Sequence, residues 1–89
     1  MENNICYSPR FLKRLEGLSQ EIIDLTMKKV EIFKENPWHP SLRVHSLRGE
    51  LKGYWSISIN MQYRIIFDHK ENGDTLFLSI GKHDIYRNL

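Results

Sequence analysis

Tyr54-Trp55-Ser56-Ile57-Ser58-Ile59-Asn60 decides the architecture, because apolar and polar residues alternate along it with the two-residue period of a strand that lays one face on a core. Trp55, Ile57 and Ile59 are expected to pack inward, leaving Tyr54, Ser56, Ser58 and Asn60 towards water. Working outward, Tyr63-Arg64-Ile65-Ile66-Phe67 repeats the pattern, with Tyr63, Ile65 and Phe67 on one face and Arg64 and Ile66 on the other. Asn72-Gly73 is a dipeptide favoured by two-residue hairpins, since both residues tolerate positive φ. It leads into a last strand from Thr75 to about Lys82, built on the apolar run Leu76-Phe77-Leu78-Ser79-Ile80.

Upstream of Ser41 the period is helical. Ile5-Cys6-Tyr7 reads as a short opening strand, and Ser8-Pro9 as an N-cap followed by proline at the first helical position, where no N–H is needed. The helix starting at Pro9 carries Phe11, Leu12, Leu15 and Leu18 at helical spacing and ends near Gly17-Leu18. Ser19 caps a second helix, with Glu21 against the positive end of its dipole and Ile22, Ile23, Thr26, Met27, Val30 and Phe33 as its apolar face. Asn36-Pro37 ends it, because the residue before proline is pushed out of the helical region. The expected order is β-α-α-β-β-β-β, an α+β fold with an antiparallel-rich sheet and a helical hairpin, joined by one or two residues, packed on one face. The 89 residues suffice for one domain over 1–89 and are too few for two cores.

Thirteen Lys and Arg against eleven Asp and Glu exclude a polycationic tail. Distribution is more telling: from Arg43 to Arg64 the charged residues are Arg43, Arg48, Lys52, Arg64 and the single acid Glu50, a local excess of +3. Such a stretch fits phosphate contacts and equally a solvated surface. The lone Cys6 forms no internal disulfide, there is no metal-type cysteine spacing, and neither a signal peptide nor a membrane-spanning run is read. A cytoplasmic protein with no cofactor and no membrane contact is expected.

None of the four histidines makes the closely spaced pair used by helical zinc sites, so no metal site is expected. His39 and His69 read as solvent-facing loop residues. His45 and His83 each lie where a strand meets its edge, beside Arg43 and Arg48 in one case and Lys82 and Arg87 in the other. Cleaving RNA without metal needs a base for the 2′-OH proton, cations for the charged phosphorane and an acid for the leaving 5′ oxygen. Two imidazoles with Arg64 and their basic neighbours can fill those roles. Tyr54, on the polar face, either stacks on a base or covers the sheet.

The segments His45-Ser46-Leu47-Arg48-Gly49-Glu50-Leu51-Lys52-Gly53-Tyr54-Trp55-Ser56-Ile57, Tyr63-Arg64-Ile65-Ile66-Phe67 and Ile80-Gly81-Lys82-His83-Asp84-Ile85-Tyr86 together resemble the RelE/ParE toxin superfamily, and most of all its YoeB- and YafQ-type mRNA interferases. The resemblance implies the toxin of a type II toxin–antitoxin pair, a ribosome-dependent endoribonuclease acting without metal on mRNA in the ribosomal A site. Its partners would be a cognate antitoxin protein and, only through that antitoxin, operator DNA. It also implies roles: His45 as general base, Arg64 on the phosphorane, His83 as general acid and Tyr86 as the aromatic closing the site. Arg43, Arg48, Lys52, Lys82 and Arg87 would hold RNA phosphate. The chain departs from YafQ-like members, which carry a further histidine and an Asp-Trp pair where Ser58 and Gln62-Tyr63 stand, and from YoeB-like members, which have a carboxylate at His45. A ParE-like gyrase inhibitor and a catalytically inactive binding domain are the two other readings of the same fold.

Overall fold

The computed structural model describes residues 4–86, the His83 side chain excepted. The chain runs β1 (Ile5–Tyr7), α1 (Pro9–Glu16), α2 (Gln20–Glu35), β2 (His45–Ser46), β3 (Trp55–Ser58), β4 (Arg64–His69) and β5 (Thr75–Gly81). Short 3₁₀ turns cover Pro40–Leu42, Gly49–Leu51 and His83–Tyr86. The five strands form one open mixed sheet in the order β1-β5-β4-β3-β2, with β1 parallel to β5 and every other pair antiparallel. This is the expected α+β order. Among the described residues no helix is long and apolar enough to cross a membrane.

The helix boundaries follow the capping chemistry. The Ser8 side chain accepts from the Phe11 N–H and the Ser19 side chain from that of Ile22, and α2 stops at Asn36, whose extended backbone the following proline favours. The hairpin connection, residues 17–19, is slightly longer than expected. Its packing face is the expected one except at two residues. Phe11, Thr26, Val30 and Phe33 are buried and Leu15, Leu18, Leu25 and Ile32 pack against them, whereas Leu12 and Met27 remain 49% and 43% exposed. The stripe through Thr26, Val30 and Phe33 is the buried one, with Leu25 and Ile32 flanking it, and Leu12 and Met27 lie off the buried faces.

The core between hairpin and sheet is aromatic. Phe33 meets Phe67 and Phe77 edge-on at 5.3 and 5.5 Å between ring centres, and Phe11 lies 5.6 Å from Phe77. Ile57, Ile59 and Ile65 fill the rest, and Trp55 packs against it from the rim, as the alternation requires. Between β4 and β5 the register jumps: Ile66 faces Ser79 while Phe67 faces Phe77, leaving Leu78 as an extra residue. This bulge lets Phe77 and Ile80, three apart, both enter the same core.

Two turns differ from expectation. The β4–β5 connection is a three-residue loop, Glu71-Asn72-Gly73, closed by Lys70 N–H donating to Asp74 O and Gly73 N–H to Lys70 O. Asn72 Oδ1 accepts from Asp74 N and Gly73 adopts φ +96°, so the dipeptide turns the chain within a longer loop. The β3 strand ends at Ser58 rather than Asn60, because Asn60 Oδ1 accepts the N–H groups of Gln62 and Tyr63 and turns the chain there.

The larger correction concerns the sheet's second face, expected to be wet. Ser56 and Ser79 are fully buried, Ser58 is 6% exposed and Ile66 has no exposure. Pairing places His45 opposite Ser56, Ser56 opposite Ile66 and Ile66 opposite Ser79, so these four share the face away from the helices. The turn His83–Tyr86 folds back over it, with Ile85 fully buried against Gly81. A Cβ at Gly81 would collide with Ile85 Cγ2, so this position needs glycine for the close approach.

Candidate active site

Register alone brings the polar residues of this second face together. Arg64 pairs with Ser58 on one side and Gly81 on the other, two residues along from the His45–Ser56 pairing, so its side chain shares the face of His45. The Arg64 guanidinium donates through Nη1 to Ser58 Oγ at 2.7 Å, which holds it flat over the strand. Its remaining N–H groups have no hydrogen-bond partner among the described residues and stay available to an anion.

His45 sits at the exposed end of its row. Its Nδ1 lies 3.3 Å from the carbonyl oxygen of Arg43, and Ser56 Oγ lies 3.3 Å from Nε2 and 3.4 Å from Nδ1. A carbonyl only accepts, so that contact suits the tautomer with the proton on Nδ1 and the lone pair on Nε2. Arg43 takes a left-handed conformation, φ 48°, that aims its carbonyl at the ring.

His45, Leu47, Arg48, Leu51, Arg64 and Tyr86 line one open cleft of about 380 Å³. Arg64 also lines a neighbouring cleft with Arg43, Ser58, Asn60 and Lys29, while Leu51 and Tyr86 also line a second neighbour with Tyr54, Glu50 and Arg10. The three clefts thus adjoin one another, through Arg64 on one side and Leu51 and Tyr86 on the other. One imidazole, two guanidinium groups and a phenol suit proton transfer and charge stabilisation at a phosphodiester.

Of the expected site residues, the structure gathers His45, Arg48, Arg64 and Tyr86 in one cleft and puts Arg43 beside it. Lys52 is exposed on the turn after Leu51 and does not line these clefts. Lys82 lies elsewhere: its ammonium sits 5.6 Å above the Tyr63 ring, and Tyr63 packs against the helix-side core. The His83 side chain and Arg87 lie outside the described residues; the His83 backbone opens the turn that carries Tyr86. Sequence reading passed over Ser56 and Ser58 as site residues. Their signal was present in the alternation, which put them on Arg64's face. Among the described residues no group of three or more His, Cys, Asp or Glu side chains is arranged to hold a metal ion.

Residues 12–83 match the model of the HigB-like toxin family, described as the RelE-like toxin of the type II toxin–antitoxin system HigB. No curated protein matches the chain. The fold is similar to the YoeB/ParE toxin from Agrobacterium tumefaciens, with TM-score 0.74 and 14% identity over 90% of this chain and 98% of that one. A chain of the E. coli DinJ–YafQ toxin–antitoxin complex gives 0.77 and 17% over 96% and 97%. The archaeal RelE–RelB complex from Pyrococcus horikoshii gives 0.75 and 16% over 92% and 96%. At these identities the solved structures speak for the fold alone. The family match runs from within α1 through β5, and by that match the chain belongs to the RelE-like toxins of type II toxin–antitoxin systems, of the HigB kind.

Proposed function

We propose that this toxin is an endoribonuclease that cuts mRNA in the ribosomal A site by acid–base chemistry of its own side chains. The observation that carries the reading is the meeting of His45, Arg48, Arg64 and Tyr86 in one open cleft. His45 Nε2 takes the 2′-OH proton, and the 2′ oxygen attacks the adjacent phosphorus. Arg64 stabilises the phosphorane, with Arg48 on a neighbouring phosphate. The 5′ oxygen leaves with a proton from His83, giving a 2′,3′-cyclic phosphate and a 5′-OH end. Tyr86 closes the cleft over the reacting nucleotide. Ser56 and Ser58 act by positioning, one beneath the imidazole and the other holding the guanidinium.

A cognate antitoxin protein is the expected partner in the cytoplasm, in keeping with the family and with the toxin–antitoxin complexes among the solved relatives; operator DNA would be reached only through it. The test is to map mRNA 5′ ends after brief induction of the parent, Arg64→Ala and His83→Ala. The parent is expected to produce discrete cuts, and each variant to lose about two or more orders of magnitude of them. Uncut mRNA with accumulated gyrase–DNA adducts would instead put the chain with the ParE-like gyrase inhibitors, and an inert parent would make it a binding domain.

A further inference from the structure

The cleft next to the proposed cutting site holds a group that a polyanion groove has no evident use for. Glu50 is the single acid between Arg43 and Arg64, and it lines the cleft of about 480 Å³ that shares Leu51 and Tyr86 with the His45–Arg64 cleft. Its carboxylate is exposed and makes no ion pair or hydrogen bond among the described residues. Beside an RNA backbone such a charge repels phosphate, and that repulsion is offset only where the carboxylate accepts hydrogen bonds from the ligand.

Tyr54 supplies the other half of a nucleotide site. Its backbone is pinned on both sides, Tyr54 N–H donating to Leu51 O at 3.0 Å and Leu47 N–H to Tyr54 O at 2.9 Å. The half-buried side chain lies in the same cleft as Glu50. An aromatic ring fixed in a groove stacks on any base, and a carboxylate beside it discriminates by edge. Guanine offers two adjacent N–H donors on its Watson–Crick edge, matching the two oxygens of a carboxylate. Adenine and cytosine each offer one amino group next to an acceptor. Uracil flanks its single N–H with two carbonyl oxygens that repel the carboxylate.

We infer that this cleft is a base-reading subsite for the nucleotide flanking the cleaved bond, with Tyr54 stacking on the base and Glu50 accepting from its N–H donors, so that guanine is favoured there and uracil disfavoured. The inference rests on the RNA-cutting reading above and names what that site selects. It is tested with messages randomised on both sides of a mapped cut, incubated in a translating extract with the parent, Glu50→Gln or Glu50→Ala. The parent should cut guanine over uracil at one fixed flanking position by about tenfold, the discrimination that charge-assisted hydrogen bonding commonly supplies. Glu50→Gln, whose amide donates as well as accepts, and Glu50→Ala should both level that position while melting with the parent. A parent indifferent to the flanking bases, or a Glu50→Gln profile identical to the parent's, would overturn the subsite. So would a Glu50→Ala that melts like the parent but cuts no sequence, since Glu50 would then belong to the reaction. A parent that cuts no message overturns the underlying reading, and the two failures are thereby told apart.

Discussion

On its helix side the sheet is sealed by rings: Phe11, Phe33, Phe67 and Phe77 touch one another and exclude water by bulk. On the other side comparable burial is reached with three serines, Ser56, Ser58 and Ser79, around Ile66, under a single short turn carrying Ile85. Ser79 Oγ is buried there without a hydrogen-bond partner among the described residues. The first face is held by contacts between large rings; the second depends on the close approach of Ile85 to Gly81. The bulk of the core and the proposed chemistry thus lie on opposite faces of one sheet.

Substitutions that act on one face and spare the other sharpen this contrast. Phe33→Ala should have the largest effect, a loss of about 3–5 kcal/mol by denaturant melting for a fully buried ring. Gly81→Ala should be milder in stability, about 1–3 kcal/mol, because Ile85 and its turn can lift away. Its cutting rate should fall further than its stability predicts, since Tyr86 travels with that turn; equal losses would show that the turn only covers the sheet. Arg48→Ala should weaken cutting about tenfold while Lys82→Ala changes it less than about twofold, the difference between a cation in the cleft and one over Tyr63. Equal losses would break the comparison. The smallest effect belongs to Lys70, whose pKa is raised by its hydrogen bond to Asp68, 2.9 Å away, and by that carboxylate's charge. A raised lysine pKa favours the folded state below the ordinary lysine value and loses that contribution as pH rises through the folded value. In Asp68→Asn, an NMR titration should find Lys70 moved down towards its ordinary range.

The sequence was most readable where local chemistry acts alone. Ser8-Pro9, Ser19 and Asn36-Pro37 set the helix ends within a residue or two, since a cap needs only its own neighbours. Alternation through Trp55, Ile57 and Ile59 identified the core face for the same reason. It also put Ser56 and Ser58 on Arg64's side, but alternation tells which way a side chain points and not what lies over it. The cover comes from Ile85, which reaches Gly81 only through the fold. The position of Lys82 over Tyr63 was hidden on similar grounds. Leu76-Phe77-Leu78-Ser79-Ile80 is apolar almost throughout, so its faces cannot be told apart, and the bulge at Leu78 that sets them arises in the pairing with β4.

β5 comes late in the chain yet lies inside the sheet, bonded to β1 on one side and β4 on the other. Ser8 ties the start of the first helix to it, its N–H donating to Phe77 O and its hydroxyl to Leu78 O, 70 residues away. As the chain leaves the ribosome, the opening strand and helix therefore wait for a docking edge that is synthesised some 70 residues after them. Loop closure over that separation comes last. A growing polypeptide has neither its aromatic core nor its groove until the strand at 75–81 has emerged, so translation itself delays the arming of the toxin.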